Sequence, residues 1–405
     1  MEGHMEKKSR FGPGFLVAAA FIGPGTVTSA TLAGAKYGYA LIWVVVISIV
    51  SAIVLQEMAG RFSLATKIDV AAALVRFTKQ KWLKIGLQIL AFLAIIMGCA
   101  AYEAGNIIGG KLGLDVLTGD IMHLRINGLG IINLWVILIS AVAVFLLWRR
   151  NYKVIEKFLI ALVVIMGISF FISAIIVKPD LSGMVKGFIP GFPGKSMLHI
   201  LALLGTTVVP YNIFLHSSTI LKKWTGKEDI LLMRTDAYLS IGLGGVITVS
   251  IIVTSATAYF LTGVTISSPG DLSIQLAPLY GNLAKLFFGI GLFSAGLSSA
   301  ITAPYAAAWT ASGLFGWKEN SWKFRLVFLA VILFGAVVSI LALKPLHMIV
   351  VAQVTNALLL PVVSLFILYL LNKKEVGEFK NTILQNILFV MIFIIIILIN
   401  IKKFI

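Results

Sequence analysis

Long apolar runs make up most of this sequence, and lipid allows a chain built from them few architectures. Runs of about 20 apolar residues, enough to cross a bilayer, fall at roughly 12–35, 40–60, 84–112, 130–148, 155–177, 197–222, 236–263, 279–313, 326–343, 346–371 and 383–401. A spanning segment must pair its own backbone groups, so these eleven runs predict eleven transmembrane helices. With 59% hydrophobic residues, 12% charged and a mean hydropathy of +1.01, the chain reads as a polytopic membrane protein. No polar connection is long enough for a soluble catalytic domain, so neither an enzyme nor a cofactor is expected.

The net charge of +17 raises nucleic acid as a partner, but its distribution argues against it. Basic residues gather in alternate connections: Lys7 to Arg10, Arg61 to Lys84, Arg149 to Lys157, Lys222 to Arg234, Lys318 to Arg325 and Lys373 to Lys380. By the positive-inside rule the amino terminus is expected in the cytoplasm and, after an odd number of spans, the carboxyl terminus outside. The expected setting is a bacterial inner membrane or a plasma membrane, with the bilayer as partner and a monomer as working unit. The first run outlasts a signal-peptide core, so no cleavage is expected, and Met1 to Met5 reads as an expression remnant. Cys99, the single cysteine, excludes an internal disulfide and argues against a thiolate metal cluster.

Prolines interrupt two runs at mid-length, at Gly23-Pro24-Gly25-Thr26 and at Val209-Pro210-Tyr211. Proline removes a backbone donor and clashes with the preceding turn, so a helix broken there exposes groups that lipid cannot satisfy. A single such proline is commonly a packing kink. A pair in corresponding positions of two halves points to a transporter's binding site. The breaks fall in runs one and six, and a repeat of five spans places its second copy upside down. The expected fold is one all-α membrane domain over residues 1–405, with inverted repeats at about 12–177 and 197–371 and an added helix at about 383–401. The small residues from Gly289 to Ala300 in run eight read as close packing.

Several motifs resemble one family, the natural resistance-associated macrophage proteins (Nramp). Gln56 to Phe62 followed by Ala65-Thr66-Lys67 is similar to the family's Gln-x-x-x-x-Arg-Leu-Gly-x-x-Thr-Gly signature. Gly205-Thr206-Thr207-Val208-Val209-Pro210-Tyr211-Asn212-Ile213-Phe214-Leu215-His216-Ser217 resembles Gly-Ala-Thr-x-Met-Pro-His-Asn-Leu-Tyr-Leu-His-Ser. Gly289 to Thr302 resembles a stretch ending Gly-Gln-Ser-Ser-Thr-Ile-Thr, with Leu297 in place of the Gln. The resemblance covers essentially the whole chain. It implies a leucine-transporter-type fold, proton-coupled import of divalent transition metals, and alternating access as spans 1, 2, 6 and 7 move against the rest.

The departures from the family pattern fall on its metal ligands. Members use an Asp and an Asn in the first break, plus a Met sulfur and an Ala carbonyl in the sixth span. The matching positions here are Gly23, Thr26, Val209 and Thr206. A thioether favours soft metals and a carboxylate offsets dehydration of a divalent ion, so manganese and iron should bind poorly. The remaining candidates are the hydroxyls of Thr26, Thr28, Thr206, Thr207 and Tyr211, the amides of Asn212 and Gln353, and the freed carbonyls. Thr26 and Thr206 are the expected metal contacts, as hard oxygens suited to largely hydrated magnesium, a monovalent cation or a polar solute. Each threonine also reads as a packing hydroxyl bonded to its own helix.

Ionisable groups at membrane depth are costly and mark function by default. Glu103 and Asn106 align with the family's proton-route Asp and Glu, and His216 with the second histidine of its sixth span. Glu103 and His216 are thus candidates for a proton relay, against structural hydrogen bonding and packing. Glu57 and Arg61, four apart, read as an ion pair at the cytoplasmic end. Asp236 reads as the cap of run seven, and the start of run ten around Ala352 to Asn356 as a further break. No Gly-rich phosphate loop is present, so nucleotide hydrolysis is not expected as the driving force. The expected function is Nramp-like secondary transport of a metal cation with transition-metal selectivity lost. The alternatives are a carrier of a small organic solute such as an amino acid, or a sensor on the same scaffold.

Overall fold

The computed structural model describes residues 22–126, 130–149, 153–224, 226–319, 321–342 and 344–402. The amino half of the first run, together with Met1 to Met5, lies outside the described residues. α1 (Pro24–Tyr37) opens on a proline at the first helical position, where an amide would be unpaired anyway, and stops at Gly38, whose φ of 59° suits glycine. α2 (Ile42–Thr66) turns through Lys67 into α3 (Val70–Arg76), whose cap Asp69 accepts from the Ala72 amide at 3.0 Å. Burial holds the Asp69 carboxyl above the usual range. α4 (Lys81–Thr118) follows as the longest helix, then a hairpin of β1 (His123–Ile126) and β2 (Gly130–Asn133), antiparallel with His123 opposite Asn133.

The chain continues through α5 (Leu134–Arg149), α6 (Lys153–Ile176), short α7 (Leu181–Lys186), α8 (Met197–Thr207) and α9 (Pro210–Lys223). α10 (Ile230–Ser255) widens over Ala256–Phe260 into a π turn, where the Leu261 amide reaches back to the Ala256 carbonyl at 3.0 Å. α11 (Ala284–Phe315), α12 (Trp322–Leu341), α13 (Pro345–Leu371) and α14 (Ile383–Ile401) complete the bundle. Among the described residues nine helical stretches are long and apolar enough to cross a bilayer, and Leu134–Arg149 is a shorter apolar helix.

α4 and α11 form the central seam. A Cβ placed at Gly113 would overlap the Phe293 backbone, and one at Gly296 would overlap Gly110. The small residues of run eight thus let two backbones touch, as their composition implies.

Some local expectations need correction. α13 is continuous from Pro345 to Leu371, so Gln353 and Asn356 lie within an unbroken helix. Its internal Pro361 lies further along, and no proline stands near Ala352 to free the backbone there. Asp236 sits inside α10 and does not cap it; the N-cap position belongs to Asp229, because the helix starts more than a turn earlier than hydropathy suggests. The turn-rich connection Lys178 to Lys195 contains α7, started by Asp180, which accepts from the Ser182 amide at 3.0 Å.

Candidate functional site

The sixth span breaks at its proline. α8 ends at Thr207, and Val208 (φ −105°, ψ 81°) and Val209 (φ −87°, ψ 118°) leave the helical region before α9 starts at Pro210. The Val208 amide closes the last turn on the Leu204 carbonyl at 2.9 Å, and the Asn212 amide starts the next helix on the Val209 carbonyl at 3.1 Å. The final carbonyls of α8 and the first amides of α9 therefore stand outside the helical ladder at mid-span. Gly23 is likewise extended (φ −89°, ψ −178°) ahead of Pro24, with the Val27 amide closing on the Gly23 carbonyl at 3.2 Å.

The start of α1 and the break at Pro210 meet. Thr26 Oγ1 and Thr206 Oγ1 lie 2.8 Å apart, a hydrogen bond between residues 180 positions apart in sequence. α13 closes over them. The Gln353 side chain fills the space where a Cβ of Gly25 would stand, and Gly205 rests directly on the Gln353 carbonyl and the Ala357 amide. α4 completes the wall: Pro24 occupies the place beside Gly109, and the Tyr102 ring meets Tyr211 edge to face with 5.5 Å between centroids. The Tyr102 hydroxyl lies near Tyr211 and Thr206 without a well-directed hydrogen bond to either.

The side chains around the breaks (Tyr102, Val209, Tyr211, Asn212, Gln353 and Asn356, with Thr26 and Thr206) are each no more than 1% exposed, so the site is closed to both sides. Many of their polar atoms lack protein partners: both amide atoms of Asn212 and of Asn356, the hydroxyls of Tyr102, Tyr211 and Thr28, and Gln353 Oε1. Each buried group left unpaired costs about 1–3 kcal/mol. Such a concentration belongs where a ligand or water supplies the missing partners. Thr207, by contrast, is spent on its own helix, donating to the Leu203 carbonyl at 2.9 Å. Gly23 offers no side chain and Val209 an apolar one. The described wall is therefore neutral, and no group of three or more His, Cys, Asp or Glu among the described residues could hold a metal ion.

Glu103 and His216 are not brought together. Glu103 follows Tyr102 and so points about 100° away around α4. Its Cγ fills the place beside Gly335 of α12, Oε2 accepts from Asn106 Nδ2 at 3.4 Å, and Oε1 has no partner. His216 lies one turn beyond Asn212 on the same face of α9, fully buried, with neither ring nitrogen partnered. Sequence reasoning did not single out Tyr102. Its signal is the spacing of Gly98, Gly105 and Gly109, which mark one face of α4 for close approach and carry Tyr102 between them.

With that geometry in place, residues 14–405 match the family described as Natural resistance-associated macrophage protein-like. The chain belongs to the Nramp family. Nramp proteins are membrane transporters and not enzymes. Relatives of this chain include the Divalent metal cation transporter MntH of a Nostoc strain, 29% identical over 392 residues that cover 91% of this chain and 84% of the relative. Another, of the same description, from Agrobacterium fabrum is 30% identical over 332 residues, covering 78% and 68%. A mutant form of the Eremococcus coleocola manganese transporter shares the fold with a TM-score of 0.75 at 21% identity, covering 100% of this chain and 88% of that one. Mhp1, a nucleobase-cation-symport-1 family transporter, shares it more loosely, with a TM-score of 0.52 at 17% identity over 89% and 78%. The helical membrane fold expected from the motifs is shared with the manganese transporter and, more loosely, with Mhp1.

Proposed function

We propose that this Nramp protein is an alternating-access secondary transporter of a metal cation, built as eleven spans in one domain. Spans one to five and six to ten form the inverted pair, and α14 is the addition. The amino terminus lies in the cytoplasm, by the distribution of lysine and arginine. The divalent-cation transporters among its relatives support the cargo class. The observation that carries the reading is the Thr26–Thr206 contact at 2.8 Å, which brings both interrupted spans to one buried point ringed by unpartnered polar atoms.

The donor set narrows the cargo. Hydroxyls, amides and freed carbonyls are hard ligands without charge, which suits a cation that keeps much of its water, such as magnesium. Neither the thioether nor the carboxylate that would favour manganese is present at Val209 or Gly23. Of the positions that resemble the family's proton route, Glu103 and His216 carry titratable side chains for proton coupling. A second reading, a small polar organic solute such as an amino acid, is favoured by the unpartnered amides of Asn212 and Asn356. A sensor without transport is the third.

Proteoliposome uptake separates the three. Magnesium entry faster than manganese entry, lost in Thr206→Ala, is the expected result; amino-acid uptake alone supports the second reading, and no flux of any kind the third. The combined Gly23→Asp, Thr26→Asn and Val209→Met variant should gain manganese binding by calorimetry. A wild type that already binds manganese as tightly as that variant refutes the lost-selectivity reading.

A further inference from the structure

We infer that a cationic vestibule beside the site binds a small oxyanion, a carboxylate or phosphate group. The vestibule is a cavity of about 500 Å³ whose polar lining includes Lys36 of α1, His199 of α8, Lys344 and His347 at the start of α13, and Ser267 from the connection ahead of α11. It is framed by the three helices that converge on the breaks. Lys36 is ten residues beyond Thr26, about 15 Å along α1, and His199 is seven residues before Thr206, about 10 Å along α8.

Its charge has one sign. Two lysines, Lys36 and Lys344, carry it, the imidazoles of His199 and His347 stand beside them as hydrogen-bonding groups, and no lining residue is acidic. Asp271, close by in sequence, is turned back onto the amides of Ser267 and Ser268 at 2.8 and 2.7 Å. Lys36 and His347 both lie within electrostatic range of His199. His199 is 5% exposed and held in place by Tyr37, edge to face at 5.3 Å with the hydroxyl 3.5 Å from Nδ1. The amino end of α13, a helix of 27 residues, forms one wall through Lys344, Pro345, Leu346 and His347, and its free amides also favour negative charge.

A cleft of one sign concentrates ions of the other. Free cations are repelled from this cavity and anions are drawn to it. Lysines act as point charges without the planar fork of arginine, so the site selects a class of anion over one shape. This inference goes beyond the transport reading and rests on the cavity's own residues; its test involves no flux, so the two can fail separately.

Thermal unfolding of the purified protein in neutral detergent is followed while citrate, phosphate or chloride is added at constant ionic strength. Citrate or phosphate should raise the melting temperature where chloride does not. The Lys36→Gln, Lys344→Gln double variant should weaken the apparent affinity roughly tenfold. Both lysines are exposed, so the variant should fold, and Lys79→Gln, outside the cavity, should change nothing. A parallel arm compares nanodiscs of phosphatidylglycerol with nanodiscs of phosphatidylcholine. A phosphatidylglycerol shift lost in the double variant identifies a lipid headgroup as the source, and a shift with citrate or phosphate a soluble anion. No shift in either arm, or shifts equal in wild type and double variant, overturns the inference.

Discussion

The polar cluster near the end of α2 and the one at the breaks are both buried, yet they are assembled differently. Glu57 receives Arg61 Nε at 2.9 Å and Nη2 at 3.1 Å, and Arg234 Nε at 2.8 Å. Arg61 also donates to the Phe379 carbonyl at 2.6 Å and to Asn381 Oδ1 at 2.9 Å. Charges paired in this way tie α2, α10 and the connection before α14 together. At the breaks no charge is present, and Asn212, Asn356, Tyr102 and Tyr211 keep open donors and acceptors. Complete satisfaction marks a joint, and a deliberate shortfall marks a place for a guest.

The comparison breaks most visibly at Glu57. Glu57→Gln leaves two arginines facing a neutral group in a buried setting, and should cost about 3 kcal/mol, read as a lower melting temperature. A loss no larger than that of a surface substitution would show that the cluster is not a joint. At the breaks the expected balance is reversed. Thr206→Val, which removes one side of the Thr26 contact, should cost no more than about 1.5 kcal/mol in stability while abolishing uptake. The smallest stability effect belongs to Tyr102→Phe. It deletes a buried hydroxyl that has no well-directed partner, so stability should rise, by no more than about 1 kcal/mol, while substrate affinity in a binding titration falls.

Much of this was legible in the residues. Pro210 is a covalent fact with one main consequence inside a helix, so the break at Val208 and Val209 could be read directly. The Glu57–Arg61 pair follows from helical spacing alone. The third partner, Arg234, is 177 residues from Glu57 and carries no local signal. Tyr102 was overshadowed by its charged neighbour Glu103, although the glycine spacing of α4 placed it on the inward face. The reading of α13 as broken failed because it leaned on polar residues, and Gln353 and Asn356 keep helical backbone while their side chains hold unpartnered atoms. β2 was read as the start of an apolar span, because Gly130, Ile131 and Ile132 lead into α5 with Asn133 as the single polar residue between.

The bare contact of Gly205 on α13 constrains how this molecule can move. With no side chain between the two backbones, tilting α8 outward would tear open a void that neither lipid nor water fills cheaply. Sliding lengthwise preserves the contact. Beyond Pro210 the same span touches α13 far less. The two halves of this span are thus held by different neighbours, the first by α13 and the second chiefly by α2.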